Sequence, residues 1–429
     1  MKNTAVVVLT SVLSLPGLPV PPALPVLSPQ SPFDQAVGDL ANPDVGARRR
    51  AVRTLKAAGL PEAAIPLAAL VFDSDDEVQA EAIAAELNIF LAEKVVPRRR
   101  VALVIEVRNA IGAEAAFSGG PFALNGNAVP AEVLAAFLRA SHDDNPHVAL
   151  DALYAFGALA GDAPDAERRE LLRVAGPELA GALGVPALES RIAAARVIGR
   201  VFARRPVDPP VEEAVGDAVV LALNDRERDV RLAAIDALGS MRYERAVQTL
   251  TDLHQYYRRG EIGGAALQAL AQIGHGSSVP LFQTQLAPLR RAGAILAIEG
   301  LARVGDAGRA PEIRAALARE RNKDVLLAEH FALVLLAGGP LDPLFAALAD
   351  SKLRDQTMGY LVEVAPGRAA AFARQAQNPV ARRRADVAQV LGVSRDPAAL
   401  AVVEPLMQDG DPQVASAAQR AAARLRRLP

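Results

Sequence analysis

Few side chains in this chain are spaced to attack, titrate or coordinate. The densest run is His142-Asp143-Asp144-Asn145-Pro146-His147, with two imidazoles and two carboxylates in six residues. A zinc-type site needs ligands sharing one helix face, as in H-E-x-x-H, and this spacing supplies no such pair. Asp143 and Asn145 are read instead as turn and cap residues. Ser118, in Ala116-Phe-Ser-Gly-Gly120, misses the nucleophile elbow because Ala116 stands where its first glycine belongs. No strand pattern precedes it, and no His or acid is tied to it. The chain has no Cys, which removes thiol nucleophiles, disulfides and Cys-ligated metals together. Walker and dinucleotide-binding glycine motifs are absent as well. The expectation is therefore no enzyme, no cofactor and no metal.

Recognition chemistry is better represented. Tyr256-Tyr257-Arg258-Arg259 closes a helical pattern with two of the five tyrosines, and Tyr and Arg dominate interface hot spots. The stretch 112–130 holds Phe117, Ser118-Gly119-Gly120-Pro121, Phe122 and Asn125-Gly126-Asn127. It reads as too polar and Gly-rich for a helix, hence as a surface loop able to carry recognition. Phe117, Phe122, Tyr256, Tyr257, Arg258 and Arg259 are the candidate binding residues. Arginine triplets at 48–50, 98–100 and 382–384 spread over half a helix circumference and are interspersed with acids. With a formal net charge of −2 and 4% aromatics, a nucleic-acid partner is not expected.

What positions these residues is a repeating helical body. Asp225-Arg-Glu-Arg-Asp229-Val230-Arg231-Leu-Ala-Ala-Ile235-Asp-Ala-Leu238-Gly239 puts Val230, Ala234, Ala237 and Leu238 on one helix face. The phrase returns at 265–274 and 294–305, and glycines at 239, 274, 305 and 338 read as helix stops 35, 31 and 33 residues apart, with Gly392 a further 54 on as two shorter units. A period near 30, two helices and two turns, is the signature of an α-solenoid. Asp73, Asp143, Asp225 and Asp409 each precede a Val by five residues, at 78, 148, 230 and 414. The Asp sits in the turn and binds free backbone N–H groups, and the Val is the first buried residue of the second helix. Asn or Asp precedes Pro at 42–43, 145–146, 208–209, 342–343, 378–379, 396–397 and 411–412, each read as an N-cap followed by Pro at N1. Period-2 alternation is missing, so essentially no sheet is expected. Arginines near the end, up to Arg427, read as a polar cap that keeps the last face wet.

These markers resemble the HEAT-repeat family, whose repeats carry an Asp in the intra-repeat turn and a Val-Arg pair opening the second helix. Asp225, Val230 and Arg231 match fully, whereas Gln79, Ala149 and Ala415 stand where the family prefers a basic residue. The short period is similar to the bilin-lyase-related subgroup. The resemblance covers roughly residues 43 to 426 and implies an all-α superhelix of about ten helix pairs.

The N-terminus is read apart from this body. Lys2 followed by apolar residues from Ala5 to Leu15 has the shape of a secretory signal, with prolines at 16, 19, 21 and 22 ending any helix. As a helix the apolar run would reach about 16 Å, too short to span a bilayer. The expected organisation is a signal peptide at 1–25, a Pro-rich leader at 26–42 and a solenoid at 43–429 with a non-repeat insertion at 112–130. The expected function is a non-catalytic scaffold for a protein or peptide, exported to the periplasm or beyond, or cytoplasmic if the leader is no signal. The alternatives are a pigment-handling protein, implied only by the bilin-lyase resemblance, and a basic-groove nucleic-acid binder.

Overall fold

In the computed structural model the described residues are 31–92, 112–163, 165–204, 211–258, 260–286 and 291–428. The expected signal peptide at 1–25, the leader up to residue 30, Arg98 to Arg100 and Arg259 lie outside them. Helices follow one another in pairs: α1 (Pro32–Asp39) with α2 (Val45–Ala58), and α3 (Ala64–Ala68) with α4 (Asp76–Phe90). After a short α5 (Ala113–Ser118) come α6 (Ala131–Ala140) with α7 (Pro146–Leu159), α8 (Asp165–Ala182) with α9 (Leu188–Val201), and α10 (Glu213–Ala222) with α11 (Arg228–Met241). The series continues as α12 (Val247–Tyr257) with α13 (Glu261–Ile273), α14 (Val279–Gln285) with α15 (Arg291–Val304), and α16 (Ala310–Leu317) with α17 (Lys323–Ala337). It ends with α18 (Asp342–Ala347) and α19 (Arg354–Val364), α20 (Ala369–Ala376) and α21 (Ala381–Val393), and α22 (Leu400–Val403) and α23 (Pro412–Leu425). The fold is an all-α superhelix, and the described residues form eleven pairs. The first begins earlier than expected: Ser31 caps α1 in a capping box with Asp34, and Ala36 and Leu40 are buried.

Each second helix packs against the next second helix and against its own pair partner. Apolar side chains fill the seam continuously from Ala36 to Leu301 and again from Ile298 to Leu425. No helix among the described residues is long and apolar enough to cross a membrane. The only pairing of β type among them is a single bridge, Leu91 to Leu124.

The turn marker behaves as expected. Asp73, Asp143, Asp225 and Asp409 accept the N–H two residues on, at 2.8–2.9 Å. Val78, Val148, Val230 and Val414 are buried. Two other signals need correction. Gly274 and Gly338 do end helices in the left-handed conformation, but α11 and α21 run on past Gly239 and Gly392. At those two places a Cβ would lie 2.9 Å from the Ala269 Cα and 2.8 Å from the Ala421 Cα, so glycine lets neighbouring second helices touch. Asn145 and Asp411 are N-caps with Pro at N1. By contrast, Asn42 and Asn378 stand two residues before the cap and hold the turn, accepting from the N–H groups of Asp44 and Val380.

The stretch 112–130 is folded rather than a free loop. Ala113 and Ala116 are buried as α5 packs on α7. Beyond it, residues 123–125 pair with the end of α4 through Ala92 N–H to Ala123 O and Asn125 N–H to Phe90 O, at 2.7 and 2.8 Å. Arg424 on α23 then donates to Pro121 O at 2.7 Å and Leu124 O at 3.0 Å. Gly126, at φ +89, sits so near α23 that a Cβ would lie 2.6 Å from Arg420 O. Residues 121–126 therefore cover Arg424 and the adjoining face of the last helix, which corrects the reading of a solvated cap there, while Arg426 stays exposed beside Glu404.

Candidate functional site

Two arrangements of charged side chains recur across the pairs. The first follows the turns. At the fourth position of a second helix an Arg donates Nη1 backwards to two carbonyls of its own turn: Arg48 to Asn42 and Pro43, Arg191 to Val185 and Pro186, Arg384 to Asn378 and Pro379. Its other nitrogens reach forward to the turn Asp of a following pair, as Arg48 to Asp73 at 2.7 Å, Arg191 to Asp225 at 2.9 Å and Arg384 to Asp409 at 2.6 Å. Gln79 makes a neutral version with Asp143 at 3.0 Å. Burial pushes the Asp73 carboxyl up, but Arg48 and the Asp75 N–H outweigh it and hold it below its ordinary range. Arg384 likewise holds Asp409 low.

One rung of this ladder is open. Arg231 occupies the same position in α11 and donates Nη1 to Asp225 O at 2.7 Å and Arg226 O at 3.1 Å. The next turn, however, presents Arg258 where the turns after Arg48, Arg191 and Arg384 place Asp. Arg231 Nε is enclosed and has no hydrogen-bond partner. Arg258 itself has φ 44 and ψ −91, an unusual conformation for a residue with a side chain. It fits because Gly263 leaves room, since a Cβ there would lie 2.7 Å from Arg258 O. Tyr256, the side chain beside it, is 81% exposed, with its ring 4.9 Å from that of Tyr257 in an edge-on arrangement.

The second arrangement crosses the curve. Arg303 on α15 binds Glu363 on α19 through two nitrogens at 2.9 Å each, and Glu299 at 3.2 Å. Arg242, just after α11, reaches the same Glu363 at 2.6 Å. Tyr360 donates to Glu299, Gln356 donates to both, and the Tyr360 ring stacks on Phe331 at 4.1 Å. A contact from α11 to α19 requires the second helices to form the inner layer of a tight curve. Burial pushes Glu363 up, while Arg303 and Arg242 more than offset it. This cluster is mutually satisfied, so it clamps the curve and offers a ligand little.

The candidate residues named from sequence do not come together. The Phe117 ring lies 5.4 Å from Tyr154 and under Arg200, and Phe122 packs against the second half of the core. Both rings are used inside the molecule. Tyr256, Tyr257 and Arg258 form one exposed group, with Arg259 outside the described residues. His142 pairs with Glu178 at 2.8 Å, Asn145 caps His147 N–H, and no metal-binding group of His, Asp or Glu occurs among the described residues. A hollow beside Gly338 and Phe345 is walled by groups already engaged, Arg374 and Gln375 with Asp342 and Arg368 with Val334 O. Within the triplets, Arg49 pairs with Glu77, Arg50 with Asp44, and Arg383 with Phe345 O. Sequence reading missed the open rung, although among the arginines at 48, 191, 231 and 384 only Arg231 is followed by a turn without Asp in this register.

No protein-family model matches the chain, and no curated protein matches its sequence. Among solved structures it is similar to an engineered protein at 18% identity, covering 92% of this chain and 99% of that one with a TM-score of 0.44. It is also similar to importin beta, at 16% identity over 90% of this chain and 49% of that one, TM-score 0.36. The complex of CpcE and CpcF of phycocyanin lyase from Nostoc sp. aligns at 20% identity over 56% of this chain and 91% of that one, TM-score 0.38. Likenesses this distant carry no functional weight. Helix pairing, Asp-capped turns and Arg–Asp rungs define the chain as a HEAT-like repeat solenoid on their own.

Proposed function

We propose that this chain is a non-catalytic scaffold that holds a protein or peptide partner, exported to the cell envelope by its N-terminal segment. One observation carries the reading: the Arg242–Glu363–Arg303–Glu299 cluster is closed on itself, while Arg231, whose enclosed Nε has no hydrogen-bond partner, is followed by a turn that carries an exposed Arg258 and an exposed Tyr256. Tyr and Arg at a partly desolvated site are the residue types from which binding energy is built. A solenoid also offers extended surface rather than an enclosed reaction chamber.

The test uses the tagged full-length protein as bait in envelope and cytoplasmic extracts of the native host, with intact mass measured on the endogenous protein. A stoichiometric envelope protein and a mass lacking the leader are expected. A bound pigment would move the chain to the pigment-handling alternative, and bound nucleic acid to the basic-groove one. A full-length mass in the cytoplasmic fraction would sink the export half of the reading.

A further inference from the structure

We infer that the open rung is a docking point for an acidic side chain, an Asp or Glu within an extended segment of the partner. The inference rests on the scaffold reading above and specifies its chemistry. In the closed rungs a carboxylate of the same chain bridges the forward nitrogens of Arg48, Arg191 or Arg384. Arg231 has the same backward contacts and no carboxylate ahead of it. Its Nε is enclosed and unpartnered, while Nη2 has no hydrogen bond and is not among the enclosed atoms.

The neighbouring turns adjoin here, as Arg228 reaches Glu261 at 3.1 Å. That contact, with Asp229 at 3.2 Å, occupies Arg228. The exposed side chains of Arg226 and Arg258 are in no ion pair among the described residues. Arg231, with Arg226 and Arg258 in the two adjoining turns, thus stands without a carboxylate in the register where an Asp follows Arg48, Arg191 and Arg384, and charge complementarity selects an anion for it. Guanidinium groups bind carboxylate through paired N–H donors, which a carboxylate on a partner can satisfy as an internal Asp does. Tyr256 and Tyr257 at the rim supply an apolar surface for the residue flanking the acid. Arg258→Asp removes one cation and sets a carboxylate in this register, so one substitution offers Arg231 a partner from within and opposes binding of an external acid.

The experiment probes an array of hexapeptides with Asp, Glu, Asn, Gln or Lys fixed at the centre and mixed residues around it, using full-length protein. It is repeated with Arg258→Asp and Tyr256→Ala, and with a single-stranded oligonucleotide of mixed sequence. Expected is at least tenfold stronger capture by Asp- and Glu-centred peptides, lost in Arg258→Asp although that variant melts no lower than wild type. Tyr256→Ala should weaken capture severalfold without changing the acidic preference. Acidic peptides held equally by wild type and Arg258→Asp would overturn the site while leaving the scaffold reading intact. Absence of capture by any peptide would overturn both, and preferential capture of the oligonucleotide would overturn the acidic-peptide inference.

Discussion

Arg48 and Arg231 occupy the same position in two repeats and end in different circumstances. Both open a second helix, and both donate Nη1 to the carbonyls of their own turn. Arg48 then meets Asp73, with the two side chains only 11% and 6% exposed, and the turn closes over them. Arg231 meets a turn led by Arg258, and beside it Tyr256 stands in solvent. The helix position and the backward contacts are common to both, but the following turns differ in residue and in backbone, Asp73 being extended at φ −59 and ψ 153 and Arg258 lying at φ 44 and ψ −91. A ladder that stabilises a solenoid where it is complete becomes, where one rung is missing, a charged and unsatisfied surface.

Packing common to both regions sets the largest expected effect. Leu238, fully buried in α11, should cost about 3 kcal/mol on Leu238→Ala, read from the urea midpoint, because the cavity forms in a seam every repeat shares. Asp73→Ala should cost about 2 kcal/mol by leaving Arg48 and the Asp75 N–H without their acceptor, whereas Arg231→Ala should cost distinctly less. Equal losses at the two arginines' rungs would erase the distinction drawn here. Arg258→Asp should gain up to about 1 kcal/mol, since it removes a cation from the turn that follows Arg231 and supplies the missing acceptor.

The smallest effect is a pH dependence. Asp73 is held below its ordinary range in the folded chain, so its contribution is present above the ordinary carboxylate pKa of about 4. It fades as pH falls through the lower, folded-state value. The stability gap between wild type and Asp73→Asn should therefore narrow on acidification below about pH 4, and in an Arg258→Asp background the new rung should show the same fade.

Much of this was legible from the residues. Asp225, Val230 and their counterparts set the turns because a short acceptor and a buried β-branched residue act locally, over five positions. Gly239 and Gly392 were misread because a glycine that ends a helix and one that admits a neighbouring backbone look alike until the neighbour is placed. Phe117 and Phe122 looked available for recognition because nothing near them in sequence announces Tyr154 or the second half of the core. The Glu299–Arg303–Glu363 cluster was invisible for the same reason, being made by curvature across sixty residues. Tyr256 and Arg258 were noticed for composition, while the reason they matter depends on comparing one turn with the others.

The contact of residues 121–126 with α23 changes how the chain comes apart. An open array of repeats unzips from its ends, since a terminal unit has one neighbour and loses only one interface when it leaves. Here Arg424 is bonded to Pro121 O and Leu124 O, 303 and 300 residues away, so the last unit has a second neighbour drawn from the early part of the chain. A linear row has become something closer to a loop with a clasp, and fraying at the C-terminal end must first undo that clasp. Denaturation should accordingly be more concerted than repeat number alone would give, and Gly126→Leu, by wedging a side chain against Arg420 O, should restore a gradual, end-first transition.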